Sequence, residues 1–216
     1  MIVAGRPLWL AGTNCWVIAR EQGGPAVVID APPDAEGVLD LLAEHDLVPT
    51  ALLLTHGHVD HTGAAGAVAG RFSLSAYLHP DDEWLAGSPR EQLRALWGTT
   101  PPGDFEPPEQ WVWLDHDQVL KLAGFDLRVI HTPGHTPGHC CFHLESEGIL
   151  FSGDQLFAGS IGRTDLPGGD TAALMRSMEH RVITLPPETD VLPGHGPTTT
   201  LARELETNPF LEAFRT

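Results

Sequence analysis

Apolar and polar positions along this chain follow two alternating periods. Residues 14–19 and 26–31 are short, nearly continuous apolar runs on either side of a polar, glycine-containing stretch at 21–25. They predict two strands joined by a hairpin turn. Pro32, Pro33 and Asp34 interrupt the pattern, and Val38, Leu41 and Leu42 then recur at helical spacing, predicting an amphipathic helix over 34–46. Pro49 closes that connection, and the run 51–54 predicts a buried strand. A small-residue helix starting near Gly63 and a strand over 73–78 come next. Strand–helix–strand order of this kind predicts a layered α/β fold.

Residues 79–113 depart from this rhythm. They hold Trp84, Trp97, Trp111 and Trp113, a helical piece over 90–97, and the pairs Pro101-Pro102 and Pro107-Pro108. Such a stretch reads as a loop with exposed tryptophans, serving either as a lid or interaction surface or as a packed excursion with no direct role. Short strands are predicted at 118–122, 125–131, 140–144 and 148–151. An amphipathic helix over 171–183 follows, with Asp170 as its N-cap, then a strand at 190–192 and a last helix over 199–207. A chain of 216 residues is long enough for one domain with its own core, the Trp- and Pro-rich segment being an insertion within it.

Composition narrows the function. With 42% hydrophobic and 19% charged residues the chain is of ordinary globular type. The formal net charge of −17 and the lack of a basic run argue against nucleic acid or an anionic membrane as partner. No apolar run reaches the length of a membrane span. The N-terminus lacks the basic flank and clean apolar core of a secretory signal. Cys15, Cys140 and Cys141 have neither metal nor redox spacing and read as small buried residues in a reducing compartment. A cytoplasmic location is the expectation.

The chemistry concentrates at strand ends. His56, His58, Asp60 and His61 stand within six positions directly after the 51–54 run. His56 and His58, two apart on extended chain, point the same way. Asp60 and His61 follow on the next turn, so one strand end can aim four ligand groups at two neighbouring points. That layout suits a two-metal site at the carboxyl end of a strand, where α/β sheets put their ligands. Three more strands end in similar fashion. Pro133-Gly134-His135-Thr136-Pro137-Gly138 presents His135 at the apex of a rigid turn, with His131 and His139 read as structural or supporting. Ser152-Gly153-Asp154 offers a carboxylate able to bridge, and Pro193-Gly194-His195-Gly196 a glycine-flanked imidazole. His79 is a weaker candidate.

Taken in order, these four clusters resemble the motifs of the metallo-β-lactamase superfamily over most of the chain. The resemblance implies a four-layer αβ/βα sandwich, with two mixed sheets face to face, helices outside and metals at one edge. It implies that His56, His58 and His135 bind one metal, that Asp60, His61 and His195 bind a second, and that Asp154 bridges them. The donor set suits zinc, and also iron or manganese. A hydroxide shared by two such cations would attack a polarised carbonyl, with Asp60 and Asp154 as the carboxylates of the reaction centre.

Within the superfamily the chain is similar to glyoxalase II and its short relatives, which implies hydrolysis of an acyl-thiol small molecule or a related ester. Aspartate at position 154 separates it from typical metallo-β-lactamases, which carry cysteine or serine there. Only residues 196–216 follow His195, so the C-terminal helical domain by which glyoxalase II holds glutathione has no counterpart in this sequence. Arg163 is a candidate contact for a substrate carboxylate, with a salt bridge to a neighbouring acid as the alternative. The rival family is the persulfide dioxygenases, whose resemblance implies a single iron on His56, His135 and Asp154.

Overall fold

A computed structural model describes residues 1–215, with Trp97 described by its backbone alone. The chain opens with strand β1 (Ile2–Leu8), then β2 (Thr13–Ala19) and β3 (Pro25–Ile29). Helix α1 (Ala35–Ala43) follows, capped by the Asp34 side chain accepting from the Gly37 N–H at 3.0 Å. Next come β4 (Val48–Leu53), the short α2 (Val59–Thr62), α3 (Ala65–Phe72) and β5 (Ala76–Leu78). Helices α4 (Glu83–Ala86) and α5 (Pro89–Trp97) lead to β6 (Trp111–Trp113). The second half holds β7 (Val119–Leu122), β8 (Phe125–His131), β9 (Cys140–Leu144), β10 (Ile149–Gly153) and the small hairpin β11 (Leu156–Phe157) and β12 (Ser160–Ile161). It ends with α6 (Thr171–Ser177), β13 (Asp190–Pro193), β14 (Thr199–Thr200) and α7 (Leu201–Thr207).

Among the described residues two six-stranded sheets form, ordered β1-β2-β3-β4-β5-β6 and β14-β13-β10-β9-β8-β7. Both are mixed. β3 through β6 run parallel while β1, β2 and β3 are antiparallel neighbours, and in the second sheet only β10 and β13 are parallel. Side-chain alternation decides the layering. Val27, Ile29, Ala51 and Leu53 of the first sheet meet Phe125, Leu127, Phe142 and Phe151 of the second in one buried cluster. The intervening Val28, Leu52 and Leu54 face α1 and α3 instead, packing with Val38, Leu41 and Val68. Ile130, Leu150 and Val191 turn outward to Met178, Val182 and Leu201. Central strands buried on both faces read as continuous apolar runs. The αβ/βα sandwich follows directly.

Several element bounds differ from the sequence reading for local reasons. β1 was not predicted, because Gly5, Arg6 and Pro7 interrupt its apolar pattern; as an edge strand with an exposed face it tolerates them. β4 begins at Val48, ahead of the proline expected to end the connection. Pro49 pairs with Ala26 where the register slips before Val27, and that irregularity accommodates a residue without an N–H. α2 starts at Val59, one turn before the helix expected near Gly63, and so includes Asp60 and His61. Trp111 and Trp113, expected in a loop, belong to β6 and stack at 5.9 Å. The helix expected over 171–183 changes to π-helical hydrogen bonding at Met178–Val182. Thr199, expected in the last helix, pairs with Val191, while Thr200 caps α7 by accepting from the Arg203 N–H.

The cysteines are free and fully buried, Cys141 with its thiol pushed up to about 12 by burial. Among the described residues no helix is long and apolar enough to cross a membrane.

The two sheets depend on the shared core. Phe142→Ala removes a fully buried ring at its centre and is expected to cost about 3–5 kcal/mol of stability, measured by chemical denaturation. A loss under about 1 kcal/mol would mean that the sheets are held by something else.

Candidate metal centre at the sheet edge

The strand-to-helix passage after β4 accounts for the first cluster. His58 is extended (φ −67°, ψ 144°) and is the residue before α2, whose first turn carries Asp60 and His61. The chain therefore presents His56 from a bend, rather than from the extended chain expected of it, and His58 from extended backbone, then a carboxylate and an imidazole from a helical turn. Gly57 makes this turn possible, since a Cβ there would lie 2.7 Å from the Asp82 carbonyl oxygen.

All seven motif side chains come together. His56 Nε2 lies 3.1 Å from His58 Nδ1, His58 Nδ1 lies 2.9 Å from His135 Nε2, and His135 Nε2 lies 3.2 Å from His56 Nε2. Beside this triangle, Asp60 Oδ2 is 3.5 Å from His61 Nε2 and 3.2 Å from His195 Nε2. Asp154 stands between the two groups, with Oδ1 3.3 Å from His61 Nε2 and Oδ2 3.4 Å from His135 Nε2. His56–His58–His135, His56–His61–Asp154 and Asp60–His61–His195 each bring their donor atoms within 4.8 Å of one another.

Hydrogen bonds on the far side of the rings decide which nitrogens are bare. Asp30 is buried, with its backbone in the left-handed region at φ +60°, a conformation aspartate tolerates better than most residues. Its carboxylate accepts from the Thr55 N–H at 2.8 Å and from the Thr55 hydroxyl at 2.9 Å. With that hydroxyl proton committed, Thr55 Oγ1 can only accept from His56 Nδ1 at 3.0 Å. The same carboxylate takes the Nδ1 proton of His61 at 2.8 Å, and the Arg163 carbonyl takes that of His135 at 2.7 Å. His56, His61 and His135 are thus fixed as tautomers with a bare Nε2 aimed inward. His61 Nε2 and Asp154 Oδ1 are buried and lack any hydrogen-bond partner. A buried ring of lone pairs with no donor to meet them suits a cation, and imidazole with carboxylate suits zinc, iron or manganese.

Charge divides the cluster. Burial, then repulsion from His61 and His135, lowers His56 far below its usual range, and burial with His135 brings His58 to about 3. Burial is the largest single influence on Asp60 and Asp154 and disfavours their charge, but the surrounding imidazoles together, His61 foremost, outweigh it and hold both well below the carboxylate range. His61 goes the other way. Asp154, Asp60 and Asp30 overcome its burial and raise it, and Asp60 and Asp154 do the same for His195. His56 and His58 are held neutral, while His61 and His195 compete for protons.

Several positioning residues carry no motif signature. Asp82, buried, accepts from the Gly57 N–H at 2.8 Å, the Thr136 hydroxyl at 2.6 Å and the Gly138 N–H at 2.6 Å, tying the His56–His58 turn to the His135 turn. Gln92 of α5 donates to the Gly57 carbonyl and accepts from the Val59 N–H. Thr13 donates to Asp60 Oδ2 at 2.9 Å, and the Asn14 amide group donates to the Pro193 and Gly196 carbonyls that flank His195. His139 Nε2 accepts from the Asp154 N–H at 3.0 Å, the supporting role expected of it. Gly194 lies so close that a Cβ would meet Asp154 Oδ1 at 2.4 Å. Only Asp30, as a lone aspartate after a strand, had a sequence signal that could have been followed.

Two candidates fare differently. The Arg163 guanidinium grips Asp165 through two bonds of 2.7 Å, so its contribution to the centre is its carbonyl. His79 stacks on His131 at 4.0 Å and lies near Asp81, apart from the seven.

The model of the metallo-beta-lactamase superfamily matches residues 8–195. The hydroxyacylglutathione hydrolase GloC of Haemophilus influenzae is 37% identical over 93% of each chain. Among solved structures, BLEG-1, described as a B3 metallo-beta-lactamase, superposes with a TM-score of 0.88 at 39% identity, covering 98% of this chain and all of that one. TTHA1623 in a di-iron-bound form gives 0.85 at 41% identity with the same coverage. Sequence, fold and the converging histidines agree, and the chain belongs to the metallo-β-lactamase superfamily.

Proposed function

We propose that the chain is a dinuclear metal hydrolase of a small-molecule thioester or related ester. His56, His58 and His135 hold one ion, Asp60, His61 and His195 the other, and Asp154 bridges them. The observation that carries this reading is the position of Asp154. Its two oxygens reach one imidazole of each triad, and Oδ1 has no hydrogen bond within the protein. A single iron on His56, His135 and Asp154 would leave Asp60, His61 and His195 converged without a ligand. Zinc and iron both suit the donors, and a relative at 41% identity is described as di-iron-bound.

Two bound divalent cations supply Lewis acidity and an activated water at neutral pH. The chain supplies the rest. A cleft of about 260 Å³ opens over His58, Asp60, His135, Asp154 and His195, and among the described residues its lining holds no serine, threonine, cysteine or lysine. Water is therefore the nucleophile. Asp30 and the Arg163 carbonyl keep the imidazoles in one tautomer, so no ring must turn during turnover. Asp60 and Asp154 stay ionised throughout the working pH range, as carboxylates that would hold cations must. A thiolate is a better leaving group than an amine, which favours thioesters.

Asp154→Ala is expected to lower kcat/KM by about three orders of magnitude or more and to reduce metal content below two ions per chain, read by elemental analysis. Undiminished turnover would remove the bridging role. Protons compete with metal on an imidazole, and a raised pKa lets them win at higher pH. As pH falls, the Asp60–His61–His195 ion is expected to leave first, because His61 and His195 are raised and protons compete for them at higher pH. The His56–His58–His135 ion follows further into acid, His58 titrating only at about 3. Metal per chain after dialysis at stepped pH measures this, and simultaneous loss of both ions would contradict it.

A further inference from the structure

The 79–113 segment folds against the centre and opens a second cavity beside it. About 310 Å³ in volume, it lies between α4, α5 and the loop at Leu166 and Pro167, with His58 at its inner end. Trp84, Leu85, Ala95 and Leu96 form its helical wall, and its exposed lining is almost entirely carbon. It is continuous with the cleft over the metal ligands, since His58, Leu96 and Leu166 border both. Trp84 and Leu96 remain 50% and 41% exposed, far more than apolar side chains packed only for stability. A cavity of this size and lining is that of a small-ligand site.

Charge points the same way. Among the described lining residues Glu91 is the one acidic side chain of the apolar cavity, and the one arginine bordering either space, Arg163, is already bound to Asp165. A thiol carrier with two carboxylates, such as glutathione, meets no unpaired cation among the described lining residues. The walls are rigidly set. Asp82 and Gln92 bind the helical segment to the His56–His58 turn, so the cavity keeps its place relative to the reacting carbonyl.

We propose that this cavity takes an apolar chain or ring flanking the scissile bond, so that the substrates are apolar acyl or alkyl thioesters and esters; this rests on the hydrolase reading above. The chain can belong to the acyl side or to the thiol side, and hydrophobic contact serves both.

Two thioester series test it on the metal-loaded protein. One lengthens the acyl group from acetyl to octanoyl on N-acetylcysteamine; the other keeps acetyl and lengthens an alkanethiol from ethyl to hexyl. In one series kcat/KM is expected to climb roughly three- to fourfold per methylene until the cavity is full, and the series that climbs identifies the side. S-lactoylglutathione is expected to be a poorer substrate than the longest member of that series. Leu96→Glu and, on a separate helix, Trp84→Ala should each flatten the climb. Both should also weaken binding of the neutral fluorescent probe N-phenyl-1-naphthylamine at least fivefold, a readout independent of turnover. Turnover with flat profiles in both series, or preference for the glutathione thioester, overturns the pocket and leaves the hydrolase reading intact. No turnover of any thioester or ester overturns both as an account of substrate, even if the probe binds.

Discussion

Bare lone pairs, buried at one edge of two packed sheets, are the constraint on which this molecule is organised. Three imidazole nitrogens stand 2.9–3.2 Å apart, and next to them an imidazole nitrogen and a carboxylate oxygen are buried with no partner. Leaving a buried polar atom unpaired costs about 1–3 kcal/mol, and two such atoms, His61 Nε2 and Asp154 Oδ1, lie 3.3 Å apart here. A fold stable enough to keep them so close gains that energy elsewhere, from the core between the sheets and from the hydrogen bonds behind each ring. A divalent cation is the group that turns the cost into binding.

Support behind the cluster is more economical than the cluster itself. Asp30 alone orients two imidazoles, His61 directly and His56 through the Thr55 hydroxyl. Its left-handed backbone is a local strain of the kind tolerated where surrounding structure over-determines it. Asp82 joins two turns that are more than fifty residues apart in sequence. The N-terminal strand contributes as well, since Thr13 and Asn14 hold Asp60 and the His195 turn. Four distant parts of the chain therefore meet through backbone and carboxylate contacts before any ligand is considered. This pre-organisation keeps the donor atoms from collapsing onto other partners.

The tryptophan- and proline-containing segment walls one side of the site. It is neither a free lid nor an unrelated excursion. Asp82 and Gln92 fasten it under the motif turn, and its helices raise an apolar wall beside His58. The acidic surface, with a net charge of −17, surrounds a local site rich in imidazole. That contrast lets the centre attract a neutral, polarisable carbonyl while the rest of the surface repels polyanions.

By itself the sequence determined the strands that are buried on both faces and the residues that end them. β8 and β9 were legible to the residue, β8 because apolar Phe125, Leu127 and Val129 alternate with Asp126 and Arg128, and β9 because it is buried along its length and mostly apolar. His56, His58, Asp60, His61, His135, Asp154 and His195 could be picked out together because they follow closely on strand ends, Asp60 and His61 in the first turn of α2 and the others on connecting segments. Tertiary structure decided the rest. Edge strand β1 is interrupted by Gly5, Arg6 and Pro7, and β6, though apolar, is only three residues long. Asp82, Gln92 and Asn14 act through contacts between residues far apart in sequence, which no local pattern encodes. The fate of Arg163, bound to Asp165 rather than free for a substrate, and the apolar cavity beside His58 likewise arise only when separate segments pack, since a cavity is a property of the space between them.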